Sequence, residues 1–167
     1  KVIATHTGWR GLEQSILEAP NAVKGGSVTP ASLFNDYAVT GYFDGSLGRE
    51  KAGTVLSWIS NSEIAAGAEG REMGLSGAQL TNYVQAHKYD QAISLAIREL
   101  RDGSVTGNPD GTIASLVKTF EYHKVIADKY DMDLVMYEGG THVVGVGQWA
   151  GNQTLANFFM ALNQSDA

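Results

Sequence analysis

Glu138 closes an apolar run, "DLVMYE", and is followed at once by Gly139, Gly140, Thr141 and His142. A carboxylate in that setting can attack or stabilise a cationic centre, relay a proton or ligate a metal. Asp44 has a comparable position, following "DYAVTGYF" and preceding Gly45. A third apolar run, "KVIAT", leads into "THTGW", which carries His6 and Trp9. With Tyr42 from "GYFDG" and His142 from "YEGGTH", these separate segments supply carboxylates, imidazoles and aromatic rings. Such a set suits acid–base or nucleophilic chemistry beside flat apolar surfaces.

The elements that must position these residues follow from the hydrophobic pattern. Lys1–Thr5, Asp36–Phe43 and Asp133–Glu138 are apolar and bounded by turn residues, and read as buried strands. Helical patterns lie between them. "WRGLEQSILEA" places Trp9, Leu12 and Ile16 on one face, and "VTPASLFND" offers Thr29 as an N-cap with Pro30 at the first helical position. "GREKAGTVLSWIS" reads as helix, whereas the glycines of "SEIAAGAEGREMGLSG" point to a loop with short turns. "YDQAISLAIRELRDG" is the clearest helix, with Ile93, Ala96, Ile97 and Leu100 inward, Asp90 as cap and Gly103 as stop. After the turn "GNPDG", a further helix turns Ile113, Leu116, Val117 and Phe120 inward. Leu155, Phe158, Phe159 and Leu162 mark the last one. His87 and His123 fall in helical stretches, and the pattern gives them no role.

Strands alternating with helices specify an α/β fold of parallel βα units, in which the loops after the strands converge on one face. His6, Trp9, Tyr42, Asp44, Glu138 and His142 are therefore expected together. Three strands are few for 167 residues and leave two sheet edges open, so the sheet reads as an arc of a larger one. Residues 1–167 are expected to form a single α/β domain or a fragment of a larger barrel. The opening at Lys1, inside an apparent strand, suggests a processed product or part of a longer chain.

Bulk properties exclude several classes. A net charge of −6 without clustered Lys or Arg argues against a nucleic-acid partner. No apolar run is long enough to span a membrane. The absence of cysteine removes disulfides, thiolate metal sites and cysteine nucleophiles. Phosphate-loop, dinucleotide and G-x-S-x-G motifs are missing, and no cofactor is expected. The compartment is not specified.

"DYAVTGYF" followed far downstream by "VMYEGGTHVVG" resembles the later part of a (β/α)8-barrel group related to glycoside hydrolases. The resemblance implies a partial TIM barrel, with "VIATHTGW" as fifth strand, "YAVTGYF" as sixth and the "YEGG" segment near the seventh. It implies that Glu138 is the nucleophile of a retaining mechanism, while the family's general acid/base would follow a fourth strand that this sequence does not include. Asp44 is then the other strand-end carboxylate available as a partner. Tyr42 would hold Glu138 ionised by a hydrogen bond, His142 and His6 would line the site, and Trp9 or Trp149 would offer a flat face to a sugar ring. Structural readings stand beside these: Asp44 before Gly45 makes a good turn, Trp9 at a helix start suits a core, and His6 could bond locally. Trp149, in "VGVGQWAGN", is less easily explained by packing.

Three functions stay open. The first is glycosidic hydrolysis through Glu138. The second is an inactive carbohydrate-binding or structural module derived from such a barrel, with the rest of a barrel or another subunit as its partner. The third is a metal-dependent hydrolase ligated by His6, Asp44, Glu138 and His142, although no short metal-binding spacing such as HExxH is present.

Overall fold

Asp36–Phe43 forms strand β2 with the bounds its pattern predicts, and it is the centre of the sheet. On one side lies β1 (Val2–Ala4), paired in parallel with Val2 opposite Asp36 and Ala4 opposite Ala38. On the other lies β3 (Asp133–Thr141), giving a three-stranded parallel sheet in the order β1-β2-β3. The computed structural model describes residues 1–166. The α/β class expected from the alternation of strands and helices is thus observed.

The expectation of three buried strands is corrected. Only β2 is largely buried, with Tyr37, Ala38 and Val39 at 0–1% exposure. Val2 of β1 is 56% exposed, and Met136 and Tyr137 of β3 are 57% and 53% exposed. Position explains the difference: β1 and β3 each have a hydrogen-bonded neighbour on one side only, among the described residues. A run of apolar residues records that a strand belongs to a sheet, but not how many layers cover it.

The remaining elements, in chain order, are helices α1 (Leu12–Val23), α2 (Pro30–Leu33), α3 (Ala52–Glu72), α4 (Gly77–His87), α5 (Asp90–Asp102), α6 (Ile113–Lys129) and α7 (Gln153–Asn163). The chain divides into two compact units, one comprising Lys1–Phe43 and Ala114–Gly140, the other Asp44–Ile113 and Thr141 onward.

In the first unit, one face of the sheet packs against helices. Leu17 of α1 and Ile126 and Ala127 of α6 meet Tyr37 and Val39 of β2 and the buried Met132, with Ile3, Phe120 and Leu134 at the margin. Thr29 caps α2 as its sequence predicts: Ser32 N–H donates to the Thr29 hydroxyl oxygen, and Thr29 N–H donates back to Ser32. The inward faces of the two longer helices differ from the expected ones. In α1 the buried residues are Glu13 and Leu17, while Leu12 is exposed and Trp9 precedes the helix. In α6 the inward row is Phe120, His123, Ile126 and Ala127, whereas Ile113 and Val117 are exposed. Both shifts have the same cause. Glu13 and His123 have buried polar partners, so positions that a hydrophobicity pattern discounts face inward.

In the second unit α3 is the hub, packing against α4, α5 and α7. It runs unbroken through "SEIAAGAEGRE", where glycines suggested a loop. Each glycine inside a helix costs about 1 kcal/mol relative to alanine, and here close helix packing offsets that cost. A Cβ on Gly70 would lie 2.7 Å from Leu80 Cδ1 of α4, so the missing side chain lets the two helices approach. Gly103 ends α5 at φ 75°, as expected. Leu155, Phe158, Phe159 and Leu162 of α7 are all buried, also as expected.

The second unit also contains a buried ion pair. Lys51 Nζ lies 2.5 Å from Glu99 Oε1 and donates to the Asn108 carbonyl at 2.8 Å. Glu99 also accepts from the Thr106 hydroxyl and from the Val105 and Thr106 amides, so the loop after α5 closes around it.

Burial alone would raise the Glu99 carboxyl above its ordinary value of 4.5, but the bonds from Lys51 and Thr106 outweigh it and hold the group lower. Glu13 is held low in the same sense, burial being outweighed by the Tyr122 hydroxyl and nearby backbone amides. Carboxyls depressed in the folded state give stability that is present above about pH 4.5 and lost as the pH falls through the depressed values. Glu99→Gln should cost roughly 3–5 kcal/mol at neutral pH by leaving Lys51 unpaired, and should flatten the stability loss below pH 4.5. Urea titrations at several pH values check this. An undiminished acid slope in the variant would contradict it.

Candidate functional site

Side-chain alternation settles which face each strand-end residue takes. Tyr37 and Val39 point into the helix layer, so Gly41 continues that row and Tyr42 falls on the opposite face. On β3, Leu134 packs at the margin of the helix-side core, and the Met136 thioether occupies the space that a Cβ on Gly41 would need. Strict alternation would then send Glu138 into the helix layer. However, a Cβ on Gly139 would lie 2.7 Å from the same Met136 sulfur. Met136 therefore lies over both Gly41 and Gly139. At this end of the strand Glu138 meets Tyr42, whose hydroxyl donates to its carboxylate.

Glu138 is exposed there. Tyr42 is 44% exposed, and its hydroxyl is pushed above the usual tyrosine range, first by partial desolvation and then by the Glu138 carboxylate it bonds. Tyr137, which the sequence did not single out for a site role, adds to this shift from the neighbouring position. Gly139 makes room for Met136 and the Gly41 carbonyl, rather than for Glu138 itself. Gly140 is required for another reason: its φ of 128° is a conformation that side chains disfavour.

At the end of β1, His6 and Trp9 stack with ring centroids 4.8 Å apart and planes 27° from parallel. Trp9 is 64% exposed, which removes its core reading. His6 bonds locally, its Nδ1 accepting the Gly8 amide at 3.2 Å. Adjacent strands lie about 4.8 Å apart, so the ends of β1 and β3 are separated by roughly 10 Å across β2. His6, Trp9, Tyr42 and Glu138 all belong to the first unit, each at or just after a strand's carboxyl end.

Asp44, His142 and Trp149 belong to the second unit. Asp44 makes the turn its sequence allows: Oδ1 accepts the Ser46 amide at 2.8 Å and Oδ2 pairs with Arg49 at 2.7 Å. Both oxygens are thus engaged in shaping the loop after β2. His142 is exposed beyond β3, and the half-buried Trp149 ends a short 3-10 turn, Gly147–Trp149. Among the described residues, no three or more His, Asp or Glu side chains are grouped so as to hold a metal ion. No helix among them is long and apolar enough to cross a membrane.

The second unit has an apolar groove of about 450 Å³, lined by Val143, Val144, Ala156, Phe159 and Met160 among others. No titratable side chain lines it, so it offers no acid or base.

Sequence reasoning also missed a buried polar cluster beneath the His6–Trp9 loop. His123 is fully buried, its Nδ1 is 2.6 Å from the Tyr37 hydroxyl and its Nε2 is 2.8 Å from the Thr7 carbonyl oxygen. One signal for it existed: His123 lies midway between Phe120 and Ile126 at three-residue spacing, on their face of the helix.

Compared with protein-family models, curated proteins and solved structures, the chain matches none.

If Trp9 is a surface platform, Trp9→Ala should change unfolding free energy by no more than about 0.5 kcal/mol. Trp58→Ala, at a position only 9% exposed, should cost roughly 3–5 kcal/mol. Urea denaturation of the two variants checks the contrast, and equal costs would return Trp9 to the core.

Proposed function

We propose that the strand-end face of the first unit binds carbohydrate, and that Glu138 acts there on a glycosidic bond as nucleophile or charge stabiliser. One observation carries this reading: an exposed carboxylate accepts a phenolic hydrogen bond at the carboxyl edge of a parallel sheet, whose first strand leads to an exposed, stacked imidazole–indole pair. Glycoside cleavage passes through an oxocarbenium-like state that a fixed, ionised carboxylate can attack or stabilise. The Tyr42 hydroxyl supplies the fixing, because its hydrogen bond orients the carboxylate. The Trp9 indole offers a flat apolar face with a polar edge, suited to the apolar side of a sugar ring.

The proposal extends to architecture. β1, β2 and β3 correspond to the fifth to seventh strands of a glycosidase-like (β/α)8 barrel, and the open edges of β1 and β3 are where further strands would pair. The carboxyl group that protonates the leaving oxygen would come from the remaining part of such a barrel or from another subunit.

The bonding of Asp44 favours a second reading. With Arg49 and Ser46 holding its carboxylate, Asp44 is poorly placed to serve as general acid within this chain. The alternative is a module that binds carbohydrate without cleaving it.

Glu138→Gln distinguishes the two. In the hydrolytic reading it abolishes release of reducing ends from an oligosaccharide panel, and stability stays within about 0.5 kcal/mol of the parent because the site is exposed. In the binding reading, parent and variant both bind and neither cleaves. Cleavage by the variant at the parent rate would remove Glu138 from the chemistry.

A further inference from the structure

We infer that His123 is a positioning residue: buried in the helix layer, it holds the loop that presents His6 and Trp9 in a single pose. The inference rests on the reading of the strand-end face as ligand-binding, and it supplies the means by which an exposed aromatic pair stays preorganised.

The loop from Thr5 to Gly11 makes few backbone bonds: the Thr5 amide donates to the Ala38 carbonyl at 3.1 Å, and the Trp9 carbonyl accepts the Leu12 amide at 3.3 Å. Ordering such a backbone costs on the order of 1–2 kcal/mol per residue. The constraints that offset this come from beneath. The Thr7 carbonyl oxygen can only accept, so His123 Nε2 carries the proton in their 2.8 Å contact. In the neutral ring Nδ1 is then an acceptor, and the Tyr37 hydroxyl donates to it at 2.6 Å. The Thr5 hydroxyl lies 3.4 Å from the same phenolic oxygen, so one buried chain of contacts links both ends of the segment that contains His6. From β2, the Thr40 amide donates to the Thr7 hydroxyl oxygen at 2.7 Å. At the far end of the loop, Glu13 is fully buried and accepts the Gly11 amide at 2.9 Å and the Tyr122 hydroxyl. The Arg10 guanidinium lies 4.6 Å from the centre of the Tyr122 ring.

A residue needed only for packing at position 123 would be apolar, because a buried polar side chain is costly unless its groups are satisfied. Both nitrogens of His123 are satisfied, one directly by the loop and one through Tyr37. Its function is therefore to fix the loop that lies above it. A ligand meeting a rigid His6–Trp9 pair loses less entropy on binding than one that must order the loop first.

Hydrogen exchange and the Trp9 indole resonance test this without any ligand. His123→Leu should speed amide exchange at residues 6–11 by about ten-fold or more while the amides of β2 stay protected. It should also move the Trp9 indole signal toward that of an unstacked indole. His123→Gln, which can still donate to the Thr7 carbonyl, should largely restore both. Val39→Ala is the control, since it weakens the core without touching the network, and it should leave the loop as in the parent. If His123→Leu does not fold, Tyr37→Phe removes one link of the chain and should raise loop exchange less strongly. Parent-like loop exchange in the folded His123 or Tyr37 variants, or an equal rise in Val39→Ala, would overturn the inference. Because loop order is read directly, failure to bind any oligosaccharide would count against the proposed function and not against this positioning role.

Discussion

Parallel pairing is the constraint from which the rest of the structure follows. With β2 held between β1 and β3, and all three running the same way, the chain leaves each strand at the same edge of the sheet. Segments far apart in sequence, around His6, Tyr42 and Glu138, become neighbours for that reason alone. The same pairing dictates the packing. Helices α1 and α6 cover one face with Leu17, Ile126 and Ala127, while Tyr42 falls on the other; there Ala38 is buried, and Tyr42 at the strand's end is exposed with its partner Glu138. Parallel sheets are normally buried on both faces, so an exposed carboxylate on this sheet is a departure.

The carboxylates divide by environment. Glu13 and Glu99 are fully buried, and each accepts hydrogen bonds from loop amides. Such groups organise backbone, and Glu99 is also paired with Lys51. Asp44 belongs with them in kind, its oxygens taken by a turn amide and a guanidinium. Glu138 differs, because it is exposed.

The fold was legible wherever local pattern and tertiary role agreed. β2 is apolar and central, and its bounds match the sequence reading to the residue. The Thr29 cap, the Gly103 stop and the inward face of α7 also agree, since each is a local rule with no competing partner. Disagreements cluster where distant residues intervene. Glycines that signal a break in isolation allow α4 to approach α3, and Glu13 and His123 face inward because Tyr122, Tyr37 and Thr7 are waiting for them. The bond between Tyr42 and Glu138 was expected from the sequence, but the seat of Met136 over Gly41 and Gly139 was not, because strand periodicity does not encode it.

The most direct test of the strand-end face as the ligand-binding surface is an NMR titration of the isotopically labelled protein with a panel of short neutral oligosaccharides. Shift changes should concentrate at His6 to Arg10, at Tyr42 and Phe43, and at Tyr137 to Gly139, with the Trp9 indole among the largest. Changes confined to the apolar groove around Val144 and Met160, or none with any sugar in the panel, would contradict it.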